Sequence, residues 1–309
     1  MSRFFWLIRR ELWEHKAIWV APAIVVACLL LLVVTGNVHL GPIGGINGDA
    51  PLAAFPPETQ VKLLLIAYAG LALVVFMVMG IVAFFYSLDS LYADRRDRSV
   101  LFWKSLPLSD AETVLSKFVV AAVVIPLVAL LAAFVAQLVV AACGSVKLSM
   151  SGMAGGIMWQ PEAILGGFMM ALLWSITAML WYAPIVGYLM LASAWAPKGP
   201  FLWAVLPPVA IWVLDRVVLR SEHVGDFITD RLFGLYRLLG SRGEQVGDLP
   251  DKLPSDQAGH AVATKISDID LVGALQDFYT STELWLGVVA AGLLLAAAMW
   301  VRRYRDETT

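Results

Sequence analysis

Long uncharged runs alternate with short charged segments along this chain. Six of the runs are long and apolar enough to cross a membrane as helices: 17–35, 61–88, 117–143, 163–195, 200–219 and 284–301. Each crossing of ~30 Å of hydrocarbon takes about 20 residues of helix. The fifth run is the least regular. It carries Pro207–Pro208 in its middle and Asp215–Arg216 near its end, features of a kinked, broken or re-entrant helix. Ahead of the first run, residues 2–16 place Phe4, Phe5, Ile8 and Leu12 on one helical face, with Arg3, Arg9, Arg10, Glu14 and Lys16 elsewhere. That pattern predicts an amphipathic helix lying in the membrane interface. The expected fold is therefore all-α and polytopic, a single transmembrane domain over residues 1–309. It has six transmembrane helices, an N-terminal interfacial helix and a long extracytoplasmic loop, 220–283, between helices 5 and 6.

Punctuation along the chain sharpens some ends. Ser109-x-x-Glu112 is a capping-box pattern, in which each residue satisfies a free backbone donor of the other, so the third helix is expected to begin near Asp110. Pro57 suits the first turn of the second helix. Within 220–283, Ile228, Leu232, Leu235 and Leu239 form one helical stripe, and a second helix-like stretch runs over 268–279. The Gly-, Pro- and Asp-rich segment between them reads as irregular.

Lysine and arginine set the orientation. With both termini in the cytoplasm, thirteen of the 22 basic residues fall on the inside, among them Arg95, Arg96, Arg98, Lys104 and Lys117 after the second run and Arg302, Arg303 and Arg305 after the last. The two short outside loops hold only Lys62 and Lys147. This asymmetry is the positive-inside pattern, and long loops such as 220–283 escape it. The cytoplasmic segment 94–110, DRRDRSVLFWKSLPLSD, is basic and carries exposed-type apolar residues, Leu101, Phe102 and Trp103, that call for a partner surface.

Composition agrees with membrane residence: 60% of residues are hydrophobic and 15% charged, and the net charge of −2 points to no nucleic-acid partner. Cys28 and Cys143 both sit in apolar runs, with no disulfide framework or metal spacing. The four histidines are scattered over separate segments, so neither a metal site nor a catalytic set is expected. No phosphate-cradling GxxxxGK[ST] loop occurs, nor any GxSxG or HExxH motif. Away from their ends the six runs lack Asp, Glu, Lys, Arg and His, which argues against a proton-driven mechanism. Gln137, Ser175, Thr177 and Tyr182 are among the few polar residues there and read as helix-packing groups. A pathway so lined suits an amphipathic or lipidic substrate.

The interfacial helix, six runs, basic connecting segment and long outer loop together resemble the ABC-2 type permeases, membrane subunits of ATP-binding-cassette exporters. The specific likeness is an RxxxxLxxLP-like string: Arg96 or Arg98 leads, followed by Leu101, Leu106 and Pro107. The resemblance implies that residues 99–106 form a coupling helix docking on a separate cytoplasmic ATPase. Arg95, Arg96, Arg98, Leu101, Phe102, Trp103, Lys104, Leu106 and Pro107 would make that contact. It implies no catalytic or cofactor-binding residue in this chain, since ATP and magnesium would be bound by the ATPase. It also implies a second permease copy or a homologue as dimer partner, membrane lipids as neighbours, and a bacterial cytoplasmic (inner) membrane as location. The rival reading from another class is a membrane sensor or scaffold that recruits a cytoplasmic partner through the basic loop.

Overall fold

The computed structural model describes residues 3–35, 56–97, 109–150, 152, 154–222, 224–235, 276 and 278–304. Its described residues form helices and no strand, and six of the helices are long and apolar enough to span a membrane. The elements are α1 (Arg3–Glu14), α2 (Ala17–Thr35), α3 (Pro57–Arg96), α4 (Asp110–Met150), α5 (Pro161–Trp181), α6 (Ala183–Trp195), α7 (Pro200–Leu214), α8 (224–235) and α9 (Thr282–Tyr304). The apolar core of each span sets where it crosses, but several helices continue well beyond that core. At 40 and 41 residues, α3 and α4 each run about 60 Å, twice the hydrocarbon thickness of ~30 Å.

Local chemistry explains the ends and irregularities. Pro57 opens α3 at its first position, where the missing N–H costs nothing. α4 starts at Asp110 as the capping box requires: the Glu112 amide donates to Ser109 Oγ at 3.1 Å, and the Ser109 amide donates to Glu112 Oε2 at 2.9 Å. Three turns on, Val120–Val124 forms a π turn in which the Ile125 amide reaches back to the Val120 carbonyl. The next residue, Pro126, has no N–H to restore the ordinary register.

The expected single span 163–195 is instead two helices, α5 and α6, meeting at Tyr182. Pro184 is the physical reason, because it cannot donate into the ladder. Hydrogen bonds on either side, Tyr182 amide to Ala178 carbonyl and Val186 amide to Tyr182 carbonyl, keep the two pieces in sequence. The fifth span stays helical through Pro207–Pro208 and turns into a π turn only at Asp215–Leu219. Asp215 there is buried. It accepts from the Ser221 hydroxyl and from the Val224 amide, so the charge at the end of this span caps α8.

α3 is the central helix, packed against α2, α4, α5 and α6, while α9 lies chiefly along α6. α8 folds against the α5–α6 joint: the Trp181 indole donates to the Arg231 carbonyl at 3.0 Å, and the Arg231 guanidinium sits 4.2 Å over the Trp181 ring. This helix realises the first of the two stretches expected in 220–283. The second lies outside the described residues apart from 276, 278 and 279. α1 turns Leu7 and Glu11 inward, with Phe4, Ile8 and Leu12 half-buried beside them, whereas Phe5 is exposed. The inner face is thus rotated from the expected one, because Glu11 has partners in the bundle.

Among the intramembrane polar groups, Thr177 bonds Tyr279 at 2.9 Å, Tyr182 donates to the Leu232 carbonyl at 3.1 Å, and Ser175 donates to the Pro126 carbonyl at 3.4 Å. Gln137 differs. It is 1% exposed, and neither of its amide atoms has a partner. Gly167 lets α5 approach it: a Cβ there would lie 2.5 Å from Gln137 Nε2 and 2.9 Å from Tyr68 Cβ. Gly167→Ala is therefore expected to lower stability by about 1–3 kcal/mol. Gly70→Ala, whose Cβ meets nothing within 4 Å, should not lower it. Gln137→Leu should raise stability by about 1–3 kcal/mol by removing an unsatisfied buried amide. Thermal unfolding of the three variants in one detergent checks all three signs.

Candidate functional site

The segment singled out in the sequence leaves α3 at Asp97 and enters α4 at Ser109. Of its candidate contact residues, Arg98, Leu101, Phe102, Trp103, Lys104, Leu106 and Pro107 lie outside the described residues. Arg95 and Arg96 are described, and they face opposite ways. Arg96 is 55% exposed, beside Asp97 at 3.1 Å and Asp89 at 3.9 Å. Arg95 is buried, and its Nη2 donates to the carbonyls of Ser193 at 2.7 Å and Ala196 at 2.8 Å. Those carbonyls end α6, so Arg95 completes the hydrogen bonding of that helix terminus. Ser193 answers from the other side, its Oγ accepting from the Leu91 and Tyr92 amides at 3.1 and 2.9 Å. In this arrangement Arg95 ties α3 to α6 and is not open to a partner protein.

Beside it lies a second, larger polar cluster. Lys117 of α4 donates to Glu11 of α1 at 2.8 Å and stands 3.6 Å from Asp94 of α3. Arg302 of α9 reaches the same Asp94 at 3.0 Å and Asp110, at the start of α4, at 3.3 Å. Tyr86 donates to the free oxygen of Glu11 at 2.9 Å, and the His15 ring packs edge-on to Tyr86 at 4.7 Å between centroids. Glu11, Asp94, Lys117 and Arg302 are each no more than 5% exposed. Two buried carboxylates thus meet two buried cations, and the formal charge of the four sums to zero. Pairing offsets the cost of burying these charges, which an isolated charge in a low-dielectric interior would meet in full.

Four elements that are distant in sequence converge here: α1, the last turns of α3, the first turns of α4 and the end of α9. Both stems of the 98–108 segment are consequently bonded to the same node as α1 and α9. A displacement of either stem must either carry the other elements with it or break buried ion pairs. Lys117 also stands one turn from the π turn Val120–Val124, where α4 changes register. The arrangement is mechanical, a set of ties between helices. Glu11, Glu14 and His15 bring possible metal ligands within 4.8 Å of one another. The Glu11 oxygens, however, are engaged by Lys117 and Tyr86, and those of Glu14 by Arg10 at 2.7 and 3.0 Å.

In the sequence Lys117 and Arg302 read as inside positive charges and Asp94 as the start of a basic loop. Two signals pointed further. Glu11 interrupts the apolar face made by Leu7, Ile8 and Leu12, and Lys117 follows a helix start by two turns, directly before an apolar run.

Residues 61–182 match the family model described as ABC-2 family transporter protein. The matched region holds nearly all of α3, both stems, the segment between them, α4 and α5. No curated protein and no solved structure matches the chain. The match and the six apolar helices together support a multi-pass membrane protein of the ABC-2 type permease class.

Lys117→Met removes the cation that Glu11 and Asp94 share. It is expected to destabilise the protein by about 3–5 kcal/mol. Glu11→Gln combined with Lys117→Met should recover part of that loss, which thermal unfolding of the single and double variants reads directly.

Proposed function

We propose that the chain is the membrane subunit of an ATP-binding-cassette exporter, driven by ATP hydrolysed on a separate cytoplasmic ATPase. It moves an amphipathic or hydrophobic substrate across a bacterial inner membrane, with both of its own termini in the cytoplasm. The observation that carries this reading is the family match over 61–182, which contains the basic segment and both of its stems. Docking falls to Arg96, Arg98, Leu101, Phe102, Trp103, Lys104, Leu106 and Pro107, while Arg95 holds the segment's base to α6. Phe102 and Trp103 supply apolar anchors and the basic residues supply orientation, the usual division of labour at a docking hot spot. The ATPase holds ATP and magnesium, and a second permease copy or homologue completes the dimer.

Mechanism follows from the node. Closure of the ATPase on nucleotide shifts the segment, and the stems pass that shift along α3 and α4 as levers. The Glu11–Lys117–Asp94–Arg302 cluster makes the two stems, α1 and α9 respond together. The energy enters from the partner, which fits a bundle whose ionisable groups lie at helix ends.

Purification of the tagged full-length protein in mild detergent, wild type beside Arg96→Glu/Trp103→Ala, tests the reading. An ATPase is expected to co-purify with the wild type and to be lost from the double variant. Retention by both would move docking elsewhere. A partner without ATPase activity would replace the exporter by a sensor or scaffold.

A further inference from the structure

A cavity of about 440 Å³ lies between the middle of α3, the stretch of α4 around its π turn and Pro126, the α5–α6 joint and α8. Small-molecule sites typically measure roughly 300–1,000 Å³. No charged side chain lines this one. Its single hydroxyl, that of Tyr182, already donates to the Leu232 carbonyl.

The hollow has an identifiable origin. Small residues, including Gly80, Ala122 and Ala183, occupy facing walls. On one side the π turn and Pro126 shift the wall of α4, and on the other the joint at Tyr182 bends the wall of α5 and α6. Such π turns recur at functional sites. Met77, Ile81 and Phe85 of α3 also line the cavity and are more than half exposed. They lie in the middle of a spanning helix, so the open side faces hydrocarbon.

The walls are overwhelmingly apolar, with the Tyr182 hydroxyl and the Trp174 indole as the polar side-chain groups among them. A void lined this way does not hold water, since water needs two or more polar partners. What the walls and their lateral opening can accept is an alkyl chain. We propose that this cavity binds one unbranched hydrocarbon chain of a membrane amphiphile, admitted sideways past Met77, Ile81 and Phe85. The assignment of that amphiphile as transported substrate rests on the permease reading; the binding itself does not. Ile125 on the cavity wall is eight residues from Lys117, about 12 Å along α4. The charged node and the cavity therefore share one helix, and the π turn that begins three residues after Lys117 supplies part of the cavity wall.

The test places the full-length protein in nanodiscs containing a phosphatidylcholine with a photoactivatable diazirine on its acyl chain. Adducts are then mapped by mass spectrometry. Met79, Ala122 and Val186 line the cavity and are buried, so they are labelled only from within. Adducts there are expected, beside those on the exposed Leu202 and Leu206 of α7. A Cβ on Gly80 meets no atom within 4 Å, so Gly80→Leu can fill the space from α3, and Ala183→Leu can fill it from α6. Each should abolish the internal adducts and leave those on α7, which report an intact bundle, while Gly80→Ala retains both. Adducts confined to exposed positions, or internal adducts that survive both filling variants, would overturn the proposal. Excess 1-hexadecanol separates the sources: displaced labelling assigns the site to a detached amphiphile, and resistant labelling assigns it to a bilayer lipid, the chain site standing in either case. No ATPase is involved, so failure here leaves the permease reading intact, and loss of the ATPase partner leaves the site intact.

Discussion

Four charges that water cannot reach must neutralise one another, and that requirement fixes the loop-bearing end of this bundle. Glu11, Asp94, Lys117 and Arg302 come from the first helix, the end of α3, the start of α4 and the end of α9. None can leave without stranding another. Such a cluster need not be more stable than an apolar core of the same volume, but it is far more particular about geometry. Packing alone would let long apolar helices slide against each other, since lipid and neighbouring helices are almost equally good surroundings for leucine. The node removes that freedom at one end.

The rest of the architecture can be ordered by distance from this node. Arg95 and Ser193 join α3 to α6 immediately beside it, through backbone groups that a helix end leaves over. One turn further along α4 come the π turn and Pro126, which themselves form that helix's wall of the cavity. At the far side of the cavity the Tyr182 joint, held by Trp181, Arg231 and Leu232, closes the opposite wall. Rigid connection at the loop end and backbone irregularity in the middle is a suitable build for levers. Motion imposed at the stems has its most compliant points around the cavity.

Much of the fold was legible because hydropathy over 18 or more residues is a strong signal. The six spans, the start of α4 at Asp110 and the first turn of α3 at Pro57 all follow from local rules that no tertiary contact overrides. The break at Tyr182 could have been taken from Pro184, yet apolar length masked it. Asp215 was visible only as a blemish at a span end, because its task, capping α8, depends on a helix that folds back onto the span. The node was least legible. Lys117, Asp94 and Arg302 obey the positive-inside pattern whether exposed or buried, and only their convergence across 208 residues of sequence separation distinguishes the two. Arg95 and Arg96 show the same limit, being adjacent in sequence and opposite in burial.

The central claim is that one node holds four elements as a unit, and hydrogen–deuterium exchange of the full-length protein in nanodiscs addresses it most directly. Asp94→Asn leaves Lys117 and Arg302 short of their shared carboxylate. The account predicts that backbone protection then falls together in α1, the last turns of α3, the first turns of α4 and the last turns of α9. Protection lost in α3 alone, with the other three unchanged, would contradict it.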